Sequence, residues 1–189
     1  MCYNFSIVGF VSAIHFDFVS CEEKTMLIGN PDHFALMLEI VPEWCSDNFV
    51  QGIFYVYVNG VLYPDTLRTT TLNSEIYWLL EDNSPFINPQ IDKELYNLEA
   101  RELFNEVRKV TFPETETVDN NYSYRVPLDE LSDAGFYFFI VASEKEVRIM
   151  VGKRDKKNIT YVDEVKLSMS DFKCIKLCLQ DYYVNTIKF

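Results

Sequence analysis

Apolar and polar residues alternate in the first third of the chain, and this pattern predicts antiparallel strands. Phe34 to Ile40 alternates large apolar residues with smaller or polar ones, which is the two-residue period of a half-buried strand. Gly52 to Val58 is a run of β-branched and aromatic residues, and Asn59-Gly60 follows it. Asn-Gly between apolar runs is a strong hairpin signal, because both residues readily adopt positive φ. Val61 to Tyr63 is therefore predicted to continue the meander.

Three later segments show helical spacing of their apolar residues. The first helix is predicted from Leu72 to about Leu80, with a Thr69–Thr71 N-cap and with Glu75 reaching back to the backbone as in a capping box. The second is predicted from about Ile91 to Val110. The third is a terminal helix that residues 168–171 cap. Its expected buried stripe consists of Phe172, Ile175, Cys178 or Leu179, and Tyr182.

A second hairpin is predicted from Phe136 to Ala142 and from Glu146 to Val151, and a last strand from Ile159 to Leu167. The chain has no internal repeat and no low-complexity linker. Its 189 residues and 48% apolar content suffice for one sizeable core. We therefore expect a single α+β domain, an antiparallel sheet or meander with helices packed on one side.

The first 25 residues stand apart from this pattern. Phe5 to Ile14 is mostly apolar but lacks the basic start of a secretory signal, and Ser20-Cys21 only faintly resembles a lipoprotein cleavage site. Two other interpretations stay open: an over-extended gene start, with Met26 as the true start, or an added β-strand or hairpin. We expect residues 1–25 to be a doubtful extension and residues 26–189 to form the domain.

The net charge of −12 narrows the possible partners. An acidic surface repels nucleic acid and anionic lipid and attracts basic proteins. No apolar run reaches the roughly 18 residues that a membrane span needs. The five cysteines are scattered without disulfide-framework spacing, which predicts reduced thiols in a cytoplasmic protein. We expect no nucleic-acid and no membrane partner.

Candidate catalytic chemistry is sparse. The chain has two histidines, and Asp32-His33 is the one Asp–His pair that could orient a general base; such a pair more often forms a turn. Cys174 and Cys178 share a helix face but lack the two further ligands of a structural zinc. Glycine-rich phosphate loops are absent. We therefore predict no catalytic residues, no metal and no cofactor.

One charge pattern suggests a docking surface for a basic partner. Three carboxylates of the second helix share a face opposite its apolar stripe, and the following loop adds three more. Trp44 lies in a polar loop, and the sequence allows its side chain either to be exposed or to pack in the core. An ordinary solvated face is the alternative interpretation of the acidic residues. The candidate binding residues are Glu99, Glu102, Glu106, Glu114, Glu116, Asp119 and Trp44.

Four motifs occur in order: Gly29-Asn30-Pro31-x-x-Phe34-Ala35, Glu43-Trp44, Gly52, and Tyr57-x-Asn59-Gly60. With these motifs the chain resembles immunity protein family 42 of bacterial polymorphic toxin systems, over roughly residues 26 to 167. The resemblance implies an antidote that is encoded beside a toxin and binds its toxic C-terminal domain stoichiometrically, as in contact-dependent inhibition.

The acidic charge favours a basic toxin, and a nuclease surface is usually basic. We therefore expect a cytoplasmic, non-enzymatic antidote of a nuclease. Two other functions are kept as alternatives. One is a small hydrolase that uses Asp32 and His33, and the other is a regulatory module that binds a different protein.

Overall fold

The computed structural model describes residues 24–114, 119–156 and 158–187. The described part contains eight strands and five α-helices. The strands are β1 (Lys24–Asn30), β2 (Phe34–Ile40), β3 (Gln51–Val58), β4 (Val61–Tyr63), β5 (Thr70–Thr71), β6 (Phe136–Ala142), β7 (Glu146–Asp155) and β8 (Asn158–Ser168). The helices are α1 (Leu72–Leu80), α2 (Lys93–Tyr96), α3 (Ala100–Thr111), α4 (Asp129–Asp133) and α5 (Met169–Tyr182).

The first sheet has the antiparallel order β1-β2-β3-β4, and β5 pairs with β3. The predicted alternation holds, because every second residue of β2 from Phe34 to Ile40 is buried. The predicted Asn-Gly turn is also present, since Asn59 and Gly60 have φ of 50° and 80°. The Asn59 side chain donates to Asp163 Oδ1 at 3.0 Å and to the Glu164 carbonyl at 2.9 Å, which ties the first sheet to β8.

The second sheet has the antiparallel order β6-β7-β8, and its central residues are buried on both faces. One face joins the apolar side of β2 and β3 in the main core, together with α1 and α5. The other face packs against α3, where the Phe104 and Phe139 rings meet edge to face with their centroids 5.4 Å apart. The α+β class with antiparallel strands is confirmed, and the strands are divided between two sheets that share one core.

The prediction of one continuous helix from Ile91 to Val110 is wrong. The chain forms α2, leaves helical geometry at Glu99, whose φ and ψ are −60° and 150°, and then forms α3. Buried Arg148 on β7 explains the break, because its Nη1 donates to the carbonyl oxygens of Tyr96 and Leu98. In an uninterrupted helix, these two carbonyls would instead accept hydrogen bonds from backbone N–H groups four residues later. A tertiary contact therefore overrides the local helical pattern.

The terminal helix forms as predicted. The Ser168 side chain accepts from the Asp171 backbone N–H at 3.1 Å, which caps the helix. Its buried stripe is Phe172, Ile175, Leu179 and Tyr182. A π-helical turn, Tyr183–Ile187, follows it.

The expectations for residues 1–23 lie outside the described residues. β1 begins at Lys24, two residues before Met26, and pairs with β2 from that residue on. In the described ranges, no helix is long and apolar enough to cross a membrane.

Gly52 offers a test of the close packing between β2, β3 and α1. A Cβ at Gly52 would lie 2.0 Å from the Glu39 carbonyl oxygen and 2.7 Å from Leu72 Cδ1. We expect Gly52→Ala to lower the free energy of unfolding by about 3 kcal/mol, because backbone must move to relieve the overlap. Urea denaturation measures this loss.

Gly60→Ala is the matched control. Unlike Gly52, Gly60 has its φ in the left-handed region, at +80°, and no atom lies within 4 Å of a Cβ placed there. Only the cost of the left-handed backbone remains, about 1 kcal/mol. Equal losses at both glycines would contradict the packing explanation for Gly52.

Candidate functional site

Asp32 and His33 lie in the turn between β1 and β2, and their backbones build that turn. The Asp32 N–H donates to Asn30 Oδ1 at 3.0 Å, and the His33 N–H donates to the Asn30 carbonyl at 2.9 Å. The His33 carbonyl accepts from the Asn59 N–H at 2.7 Å. Both side chains are exposed. The pair therefore has the turn geometry that competes with the general-base interpretation.

The cysteines differ in their bonding. Cys178 is a free, half-buried thiol that packs against the main core. Cys174 is disulfide-bonded, so the expectation of reduced thiols is wrong for this residue. The Cys45 thiol contacts the carbonyls of Val41 and Gln51 and closes the loop that carries Trp44. No cluster of three or more His, Cys, Asp or Glu with metal-site geometry occurs among the described residues.

The three acidic residues of the predicted docking helix lie on α3 or at its N-cap. Glu99 and Glu102 are exposed at the N-terminal end, where the helix dipole favours carboxylates. Glu106 is half-buried and forms an ion pair of 2.6 Å with Lys109. The same helix also carries Arg101 and Arg108. The charge on α3 is consequently mixed rather than purely acidic.

The acidic loop that follows α3 returns to the end of that helix. The Asn121 N–H donates to the Val110 carbonyl at 2.9 Å, which brings the two ends of the loop together. Glu114 and Asp119 are exposed, and Glu116 lies outside the described residues. Glu114 therefore follows the end of α3 opposite Glu99, and the helix between the two ends is about 18 Å long at 1.5 Å per residue.

Trp44 ends a 3₁₀ turn, Pro42–Trp44, and is 41% exposed. The core position that the sequence left open for this residue is therefore excluded. Three other exposed aromatic residues lie on the same loop or on α1, and sequence reasoning missed them: Phe49, Tyr77 and Trp78. A signal for Tyr77 and Trp78 existed, since both fall off the Leu72, Ile76 and Leu79 stripe of α1.

Glu75 has the most perturbed carboxyl group of this region. The predicted capping box is wrong, because the Thr71 side chain makes no cap hydrogen bond and accepts from Gln51 Nε2 instead. The Glu75 carboxyl is buried between α1 and α4 and accepts from the Glu130 N–H at 3.3 Å. Burial first, and then the neighbouring Asp129, raise the pKa of Glu75 to about 8.

The family model described as Immunity protein 42 matches residues 26–182. The crystal structure of CdiI from Burkholderia dolosa AUO158 superimposes on this fold with a TM-score of 0.69 at 23% sequence identity. That alignment covers 82% of this chain and 99% of that chain. No curated protein matches the sequence.

The raised pKa of Glu75 predicts how stability depends on pH. A carboxyl whose pKa rises from 4.5 in the unfolded chain to about 8 in the folded chain favours the folded state only when protonated. Stability is therefore lost as pH rises from about 4.5 to 8, by about 1.4 kcal/mol per unit of pKa difference at most. Glu75→Gln keeps an acceptor for the Glu130 N–H and cannot ionise. We expect this variant to become progressively more stable than the wild type across that pH range.

Urea denaturation at pH 5, 6.5 and 8 gives the comparison. Subtracting the wild-type free energy of unfolding from that of the variant at each pH removes the contribution of the other carboxyl groups near α4, because both proteins contain them. A stability difference that stays constant from pH 5 to 8 would contradict the raised pKa.

Proposed function

The chain belongs to the immunity protein 42 family, and we propose that it neutralises a basic nuclease toxin by binding it stoichiometrically. The net charge of −12 supports this choice of partner. Residues 25–92 contain nine Asp and Glu and a single Lys or Arg, Arg68. A nuclease surface that holds nucleic acid is usually basic, so an acidic antidote can compete for it.

We also propose that neutralisation is by occlusion and that the chain has no enzymatic activity. Asp32 and His33, the residues of the hydrolase alternative, are engaged through their backbones in a turn. A catalytic pair needs a nucleophile or water held within hydrogen-bond reach of the base. The backbone contacts of this turn instead connect it to the turn between β3 and β4, where the Asn59 N–H donates to the His33 carbonyl.

The acidic residues of α3 and its loop are proposed to steer the encounter. Glu99, Glu102, Glu114 and Asp119 are exposed, so their field reaches an approaching cation through solvent. Such rim charges change the rate of association more than the lifetime of a complex. Steering acts over about a Debye length and does not need these carboxylates to lie inside the contact.

The cytoplasm is the proposed site of action, since a nuclease toxin meets its substrate there. A disulfide such as that of Cys174 is uncommon in a reducing compartment. The proposed location therefore follows from the toxin's substrate and not from thiol chemistry.

The steering role predicts a salt-dependent association rate. Replacing Glu99, Glu102 and Glu106 together with Gln should slow association with the toxin domain and flatten its salt dependence, because exposed charges are screened at about 8 Å at physiological ionic strength. Stability should barely change, since Glu106 makes one ion pair, with Lys109, and both side chains remain accessible to solvent. Stopped-flow or biosensor kinetics between low and high salt measure the effect.

A second variant, with Glu114, Glu116 and Asp119 changed to their amides, tests the loop separately. Unchanged association kinetics in both triple variants would exclude this side of the molecule from steering. Binding of the toxin itself would still support the antidote function in that case.

The occlusion mechanism makes a further prediction for His33. A His33→Ala variant keeps the backbone hydrogen bonds of the turn, and we expect it to protect cells from the toxin as well as the wild type does. Growth of toxin-expressing cells measures protection. A variant that folds, binds the toxin domain with unchanged affinity and yet fails to protect would argue for catalysis by this residue.

A further inference from the structure

The exposed aromatic side chains of the molecule are unevenly distributed. In the described ranges, five aromatic residues stand out as exposed, and four of them lie on α1 or on the loop before β3. They are Trp44, Phe49, Tyr77 and Trp78, which include both tryptophans of the chain. Trp78 and Phe49 are 53% and 52% exposed. Large exposed aromatics are the residues that most often anchor protein–protein contacts.

Hydrogen bonds from α1 hold the loop and the helix side by side. The Asn73 side chain donates to the Asn48 carbonyl at 3.0 Å and accepts from the Val50 N–H at 3.2 Å. These two bonds flank Phe49 on both sides in sequence. Asn73 and Tyr77 are four residues apart and therefore lie on the same helix face. The loop is thus fixed beside the exposed face of α1.

The aromatic rings on α1 form a pair at its C-terminal half. The centroids of Tyr77 and Trp78 are 5.2 Å apart in an edge-to-face arrangement. The Tyr77 hydroxyl lies beside the Glu81 carboxylate, whose hydrogen bonding raises the pKa of Tyr77. Burial and the same Glu81 carboxylate raise the pKa of Tyr183, which lies in the π-helical turn after α5. The ring pair is therefore bordered by a carboxylate.

The ionisable residues around this surface are acidic. Glu43 and Asp47 flank Trp44 in the loop, and Glu81 and Asp82 follow the last turn of α1, which carries no basic residue. Carboxylates at a helix C-terminus face the negative end of the dipole, where cations are favoured. This arrangement works against the stability of α1 itself, and a cation supplied by a partner would relieve it.

Two lysines, one on β1 and one on α5, make contacts within the fold. Lys24 donates to Thr186 Oγ1 at 3.1 Å and lies over the Tyr182 ring, and Lys176 donates to the Ile87 carbonyl at 2.7 Å. On α3, by contrast, Glu106 is already paired with Lys109. The carboxylates at the end of α1 are therefore better placed than Glu106 to receive a partner's cation.

We propose that the surface formed by Trp44, Phe49, Tyr77 and Trp78, with the carboxylates of Glu81 and Asp82 at its edge, is the principal contact for the toxin. The matching feature of the toxin is an Arg or Lys side chain that lies over the Trp78 ring and pairs with the carboxylates. Tryptophan offers the best face for such a cation. This inference rests on the proposed function and names the contact surface of that same complex.

Substitutions at Trp78 test the proposal in the full-length chain. The probe is the C-terminal toxin domain encoded by the neighbouring gene, inactivated by mutation and purified. Trp78→Ser should raise the dissociation constant about 30-fold or more, as loss of an interface anchor does. The urea midpoint should stay unchanged, because the side chain is about half exposed.

Tyr122→Ser is the matched control variant. Tyr122 is the fifth exposed aromatic, 49% exposed, and lies in the segment that follows α3. We expect its loss to change the dissociation constant less than about 3-fold. An unchanged dissociation constant for Trp78→Ser would overturn the proposal, and so would an equal loss of binding in Tyr122→Ser.

Two conservative variants test the chemistry of the contact. Trp78→Phe keeps a ring face and should retain most of the affinity, whereas Trp78→Leu keeps apolar area without a ring face and should bind as weakly as Trp78→Ser. Glu81→Gln combined with Asp82→Asn should weaken binding and reduce its salt dependence. A Trp78→Leu variant that binds like the wild type would overturn the cationic contact.

The wild-type chain separates this inference from the function on which it rests. If the wild type does not bind the toxin domain, both the proposed function and the contact surface are wrong. If the wild type binds and protects cells while Trp78→Ser does so equally well, only the contact surface is wrong.

Discussion

Burial of both faces of the three-stranded sheet is the constraint on which the rest of the structure depends. All seven residues of β6 are buried, so an apolar layer must cover each face. The first sheet, α1 and α5 supply one layer, and α3 supplies the other. The second sheet therefore connects α3 on one face with the first sheet, α1 and α5 on the other. Loss of this packing would expose both apolar clusters together.

The same constraint explains why a charged pair occurs inside the fold. Arg148 lies on the face of β7 that α3 covers, and it pairs with Glu164 on β8 while it binds carbonyls of the α2–α3 junction. A buried ion pair is weak support for stability, but removal of one partner is costly because the other charge stays buried. The arrangement specifies where the helical segment breaks and how α3 is placed on the sheet.

The residues that carry the family resemblance are mostly structural. Gly29 and Gly52 allow close backbone approach, and Asn59 joins the two sheets. They identify the fold and do not identify the toxin. The exposed groups that could distinguish one partner from another, such as Trp78 and the carboxylates around α1, lie outside the strand–turn motifs. Apart from Glu43 and Trp44, which belong to both, the scaffold and the proposed contact surface use separate sets of residues.

The sequence by itself determined the elements whose signals are local. The period-two pattern of β2, the Asn59-Gly60 turn and the Ser168 cap depend on neighbouring residues, so local rules predicted them correctly. The acidic net charge and the family motifs can likewise be read directly from the sequence. The tertiary structure decided what depends on residues distant in sequence. It broke the predicted long helix through Arg148, buried Glu75 against α4 instead of leaving it at a helix cap, and placed Trp44 at the surface. Distant carbonyls, carboxylates and apolar layers compete for the same side chains in these places, and a sequence pattern does not show which contact wins.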